Sequence, residues 1–307
     1  TTAAPTSTGA LPTSTTTSIA PTTTAAPTVS IGQGDARALI TPTGVVVPIR
    51  RVQFGSFTVG TPCGNEATIV EGRTIGQVPI VIDPGHGGDD EPGAVGPSGL
   101  EEADLNLAVA EELVEELADR GLVAVLTRTD DYRMAIQARG ELVQAIEPEV
   151  FLSVHHNASP SLVAWPLPPT EVYFQHDQAE SRRFAELLFD ELVRFGGTYD
   201  IEWVGSGDAG VRYRLNIEGE DLYGVLRRSA GIPAAISEAM YLSGAAEEEL
   251  LRDPAVQRAE AVALANAIER YLTTDDNGWG YVGGDTFRPG QLGGSGGTDG
   301  CIDPELE

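Results

Sequence analysis

From Val78 onward, short apolar runs rich in Val and Ile alternate with longer stretches whose apolar positions recur about every 3.6 residues. VPIVID, LVAVLTR, EVFLSVHH, TEVYFQH and IPAAISEAMYL are bounded by Gly, Pro or charged residues and predict strands. Between them, residues 101–119, 132–146 and 180–195 predict amphipathic helices. A last helix has Asp253 placed as its N-cap and Pro254 at the first helical position, where the missing N–H costs nothing. Strands alternating with such helices imply an α/β fold: a mostly parallel twisted sheet with helices on both faces. Sheets of this kind place their sites beyond the carboxyl ends of the strands.

The pattern changes on either side of this main domain, which is drawn over residues 78–274. Residues 35–77 hold short β-prone pieces, ALITPTGVVVPI, VQFGSFTVG and EATIV, broken by Gly and Pro. They predict a small β-rich segment, read as a packing extension of the main sheet, with a wall-targeting element as the alternative. Residues 1–34 are almost all Thr, Ala, Pro and Ser, too poor in large apolar side chains to build a core, and read as a disordered stalk or linker. Residues 275–307 form a Gly-rich tail.

Composition narrows the partners. A hydrophobic content of 41% suffices for one sizeable core. A formal charge of −27 excludes a nucleic-acid partner, because neutralising phosphates needs a basic surface, and it disfavours an anionic membrane face. No run approaches the roughly 18 apolar residues of a membrane span. The first residues lack the basic and apolar regions of a signal peptide, so the sequence is expected to start after a removed signal or anchor. Cys63 and Cys301 suit one disulfide in an exported protein, tying the tail to the β-rich segment; two unrelated thiols are the alternative. The stalk and the cysteines together point to an extracytoplasmic protein, secreted or cell-wall associated, and a monomer is expected.

Chemistry gathers at the strand ends. The chain has four histidines. His86 follows the first strand of the main domain in DPGHGG, His155 and His156 end EVFLSVHH, and His176 ends TEVYFQH. One strand-end histidine is more often structural than functional, but two of them facing a helix-start glutamate shift that balance. Zinc takes imidazole nitrogens and carboxylate oxygens, and a catalytic zinc site uses three protein ligands and leaves a position for water. Of the two glutamates at the helix start, Glu101 is spaced from Ser98 as in a capping box and shares a face with Asp104, Glu112 and Glu115, so it is expected to point to solvent. Glu102 shares its stripe with Leu105, Asn106, Val109 and Leu113, and an inward carboxylate needs a partner. A metal ion supplies one; a contact with the helix dipole is the plainer alternative. Successive strand side chains point to opposite faces, so only one of His155 and His156 can join, and periodicity leaves that choice open. Glu238 lies at the end of IPAAISE, where the same crevice would fall.

The segments VIDPGHGG, GLEEADLNLAVA, LTRTDD followed by Arg139, FLSVHHNA, EVYF and PAAISEAMYLS, in that order, resemble the zinc-dependent N-acetylmuramoyl-L-alanine amidases of the amidase type 3 class. The resemblance runs from Val78 to about Leu272. It implies a peptidoglycan hydrolase cleaving the amide between N-acetylmuramic acid and the L-alanine of the stem peptide. By the same resemblance His86, Glu102 and His155 are the zinc ligands, His156 takes a variable place, and Glu238 is the catalytic carboxylate. Two departures, Ala103 where the family has a basic residue and GAAEEEL after Leu242 where an asparagine is common, touch no implied ligand. The alternatives are a stalked wall-binding protein without activity and a zinc peptidase cutting within the stem peptide; for the second, the chain lacks an HExxH motif.

Overall fold

The computed structural model describes residues 35–206, 209–278, 282–284 and 296–307. The expected stalk over residues 1–34 and most of the Gly-rich stretch before residue 296 lie outside them. The chain first forms β1 (Ala38–Ile40), β2 (Val46–Gln53), β3 (Ser56–Gly60), β4 (Glu66–Ile69) and β5 (Arg73–Ile75). These make an antiparallel five-stranded sheet in the order β4-β3-β2-β1-β5. Next come β6 (Ile80–Pro84), α1 (Glu102–Asp119), β7 (Ala124–Leu126), α2 (Ile136–Ile146), β8 (Val150–Asn157), β9 (Val163–Ala164) and β10 (Glu171–Phe174). The chain continues through α3 (Ala179–Gly196), β11 (Val204–Gly205), β12 (Gly210–Tyr213), α4 (Gly224–Arg228), β13 (Ala234–Tyr241), α5 (Ala245–Leu251), α6 (Pro254–Thr273) and β14 (Val282–Gly284).

The main sheet has seven strands in the order β14-β12-β10-β13-β8-β6-β7, and every neighbouring pair is parallel except β10 with β13. Strand alternation sorts its side chains into two cores. Ile80, Ile82, Leu152 and Val154 face α1, α3 and α6, meeting Leu105, Val109, Leu188 and Leu264. Val81, Phe151 and Ile236 face the other way, meeting Leu142 and Val143 of α2 together with Val46, Val47, Phe57 and Ile69 of the small sheet. Each fully buried Leu, Ile or Phe adds about 1.5–3 kcal/mol over its exposed state. The main sheet is thus stabilised from both faces, by helices alone on one and by helix plus sheet on the other.

The β-rich segment packs against the main sheet and closes into its own sheet, because turns at Gly44 and Phe54–Gly55, all with positive φ, return β2 to β1 and β3 to β2. Residues 132–135 depart from the predicted helix, which starts only at Ile136 with Ala135 extended as its N-cap. The Ala135 N–H donates to the Pro62 carbonyl and Arg133 pairs with Asp90, and these contacts override local propensity. The last helix starts as its sequence implies, with the Asp253 side chain accepting from the Ala255 N–H and Pro254 following. Cys63 and Cys301 form a disulfide spanning 238 residues, and Asp303 accepts from Thr61, the Cys63 N–H and Asn65 beside it.

Candidate metal centre

Three elements deliver the central side chains. His86 lies just past β6 with φ of 61°, a left-handed conformation that aims its ring back across the strand ends. Glu102 opens α1, and His155 sits near the carboxyl end of β8. One ligand atom from each lies within 4.8 Å of the others. Glu102 Oε2 is 3.2 Å from His86 Nε2 and Glu102 Oε1 is 2.9 Å from His155 Nδ1. The two imidazoles meet edge to face with centroids 4.9 Å apart.

Glycines make room for this approach. A Cβ on Gly93 would stand 2.6 Å from Glu102 Oε2, and one on Gly85 would overlap the His155 ring. Beneath the loop, the buried Asp83 carboxylate accepts from Thr127, Ser153 and Arg139. Arg139 also donates to the Pro84 and His86 carbonyls, at 2.7 and 2.5 Å. Arg128, fully buried, donates to the Pro84, Gly85 and Ala103 carbonyls. Burial, then the neighbouring Arg139 charge, lowers the Arg128 guanidinium to about 10, which still leaves it charged at neutral pH. Two cations therefore clamp the backbone that presents His86.

The electrostatics suit a cation. Burial alone would raise the Glu102 carboxyl, but hydrogen bonds with His155 and then His86 hold it well below its ordinary range, so it is an anion. Burial pushes His155 below its ordinary value, with Glu102 offsetting only part, which favours the neutral imidazole that a metal needs. Two neutral-capable imidazoles and one carboxylate, little exposed and converging, are a donor set that fits zinc.

The predicted residues separate clearly. Glu102 is 5% exposed, and Leu105, Asn106, Val109 and Leu113 are buried on its stripe, whereas Glu101, Asp104 and Glu115 are exposed. The capping box does not form. Glu101 itself is the N-cap and makes no side-chain cap bond, while the Ser98 N–H donates to Glu248 and the Ser98 hydroxyl accepts from Arg252. The Glu102 and Ala103 amides are satisfied by the Ala94 and Pro92 carbonyls, so the helix start needs no side-chain cap. His156 points to the opposite face of β8, between α1 and α6, and His176 pairs with Asp177 away from the cluster.

Glu238 is paired in register with His155 on β8 and with Glu171 on β10, so the three share one face of adjacent strands. Burial and then the charges of Glu102 and Glu171 push the Glu238 carboxyl well above its ordinary value, against the pull of Arg214. Its Oε2 is buried without a hydrogen-bond partner among the described residues. Glu171 is buried and bound by the Tyr173 and Tyr241 hydroxyls. Asp83, Arg128 and Glu171 lie in the segments VIDPGHGG, LTRTDD and EVYF that carry the resemblance, but sequence reasoning gave them no role, because their roles arise from neighbours distant in the chain.

At the strand ends of this α/β sheet, the His/Glu/His cluster is a donor set able to hold a metal ion. The sequence profile of the N-acetylmuramoyl-L-alanine amidases, Amidase_3, matches residues 80–270, and the chain belongs to that family. It is 31% identical to the protein YqiI of Bacillus subtilis over 68% of this chain and 90% of that one. It is 28% identical to the N-acetylmuramoyl-L-alanine amidase AmiC of Neisseria meningitidis over 66% of this chain, and spans 55% of that longer protein. The catalytic domain of CwlV, an N-acetylmuramoyl-L-alanine amidase from Bacillus (Paenibacillus) polymyxa var. colistinus, superposes with a TM-score of 0.53 at 32% identity, covering 64% of this chain and 98% of that one. The protein is an enzyme, a peptidoglycan amidase.

Proposed function

We propose that His86, Glu102 and His155 hold one zinc ion and that Glu238 is the catalytic carboxylate for hydrolysis of the bond between N-acetylmuramic acid and L-alanine. The observation that carries this reading is the convergence of the three donors within 4.8 Å, with Glu238 one strand away in register with His155. Zinc supplies a Lewis acid for the scissile carbonyl and lowers the pKa of water toward neutrality. Glu238 takes the proton of the attacking water and hands it to the departing amine nitrogen of L-alanine, so that the amine leaves neutral. Burial raises the proton affinity of this carboxyl, which suits a group that takes up the proton of water. Glu171, bound by two tyrosines beside Glu238, contributes negative charge that keeps this affinity high.

The enzyme acts outside the cytoplasm as a secreted or wall-associated monomer. Among the described residues no helix is long and apolar enough to cross a membrane. The disulfide between Cys63 and Cys301 fits an oxidising compartment. Mass-spectrometric analysis of muropeptides after digestion tests the reaction. Stem peptides beginning in free L-alanine, lost on chelation and restored by zinc, are the expected products. Fragments cut inside the stem peptide would refute the reading.

A further inference from the structure

On the far side of β8 from the proposed zinc lies a polar chain with no opening to solvent. His156, Asn106 and Glu260 are each at most 1% exposed. His156 Nδ1 is 2.8 Å from Asn106 Oδ1, and His156 Nε2 is 3.1 Å from Glu260 Oε2 of α6. The Asn106 amide nitrogen reaches the Gly85 carbonyl at 3.3 Å and Glu102 Oε1 at 3.4 Å.

Hydrogen-bond chemistry fixes the direction of this chain. A backbone carbonyl and an ionised carboxylate only accept, so the Asn106 NH2 must face Gly85 and Glu102. Its Oδ1 then faces His156 and needs a donor, which puts a proton on His156 Nδ1. The remaining ring nitrogen meets the Glu260 carboxyl, and one proton lies between them whichever atom carries it. Asn106 is therefore a hub beside all three proposed ligands: it binds the carbonyl preceding His86, it binds the Glu102 carboxylate, and its oxygen is held by the neighbour of His155. The His156 N–H also donates to Glu102 Oε1 at 3.3 Å.

We propose that His156, backed by Glu260, is a positioning residue for the metal centre: it holds the Asn106 amide in the one orientation that donates to Glu102. The proposal deepens the zinc reading and rests on it. A small apolar residue at position 156 would leave Asn106 Oδ1 without a donor in a dry site. The amide would then be free to turn its oxygen toward the Glu102 carboxylate, where two acceptors repel. Outer partners of metal ligands typically govern affinity by about 10–100-fold.

The test is zinc affinity, measured on the full chain by competition with a chromophoric chelator, beside the melting temperature of the zinc-free protein. The double variant His156→Ala with Glu260→Ala avoids leaving a buried carboxylate alone. It is expected to bind zinc about 10–100-fold more weakly than the parent. Glu260→Gln, whose amide can donate to Nε2 and keep the proton on Nδ1, is expected to bind zinc like the parent. Asn106→Leu, which keeps the branched heavy-atom skeleton, is expected to match the double variant and serves where that variant does not fold. Parent-like zinc affinity in the double variant or in Asn106→Leu, with only the zinc-free melting temperature lowered, would overturn the proposal. A parent that binds no zinc would overturn the metal reading and this one together.

Discussion

Glu247 of α5 is 0% exposed, and among the described residues neither carboxyl oxygen has a well-formed hydrogen bond. Burial pushes its pKa from 4.5 up to about 8, with the Tyr241 and Val204 backbones offsetting only part. The native state therefore keeps the proton over a range in which the unfolded chain has lost it. Below pH 4.5 both states are protonated and no penalty exists; as pH rises toward about 8 the native state loses stability relative to the unfolded one. The slope is about 1.4 kcal/mol per pH unit, so the penalty reaches about 3 kcal/mol at pH 7. Glu247→Gln keeps the shape and cannot ionise. Urea unfolding of parent and variant from pH 5 to pH 8, at matched zinc content, isolates this group, because all other titrations cancel in the difference. The variant should gain on the parent with rising pH, by about 3 kcal/mol at pH 7, which for a chain of this size raises the melting temperature by roughly 6–12 °C. A difference that stays flat across that range would refute the burial argument.

Other perturbations probe separate parts of the account. Gly85→Ala drives a methyl into the His155 ring and should abolish tight zinc binding in a calorimetric titration while the far-ultraviolet circular dichroism is unchanged. Arg139→Met leaves the Asp83 carboxylate buried with only Thr127 and Ser153 as partners, and should cost about 3–5 kcal/mol in denaturant unfolding. Replacing Cys63 and Cys301 by serine frees a long loop and should cost about 2–5 kcal/mol by the same assay, with hydrolytic activity retained at temperatures below the new midpoint. Glu238→Gln should bind zinc as the parent does and lose most turnover in muropeptide release.

Much of the fold was legible because it follows from local periodicity. The inward stripe of α1 separated Glu102 from Glu101 before any tertiary contact was known, and Asp253 with Pro254 marked the start of α6. What was not legible depends on contacts made by other parts of the chain. The short strand β12 and helix α4 have too few residues for a period to show, and residues 132–135 stay out of α2 because Pro62 and Asp90 hold them. Ser98 and Glu101 carried the spacing of a capping box, yet Glu248 and Arg252, some 150 residues on, took Ser98 for themselves. The choice between His155 and His156 could not come from strand alternation alone. It came from the resemblance, and in the structure Asn106 and Glu260 wait on the face that His156 occupies.

The central claim is that one zinc ion sits among His86, Glu102 and His155. Anomalous diffraction from zinc-loaded crystals, collected on either side of the zinc absorption edge, tests it most directly. The account predicts a single strong peak about 2.0–2.2 Å from one nitrogen of each histidine and from an oxygen of Glu102. A peak bound by other residues, or none at saturating zinc, would contradict it.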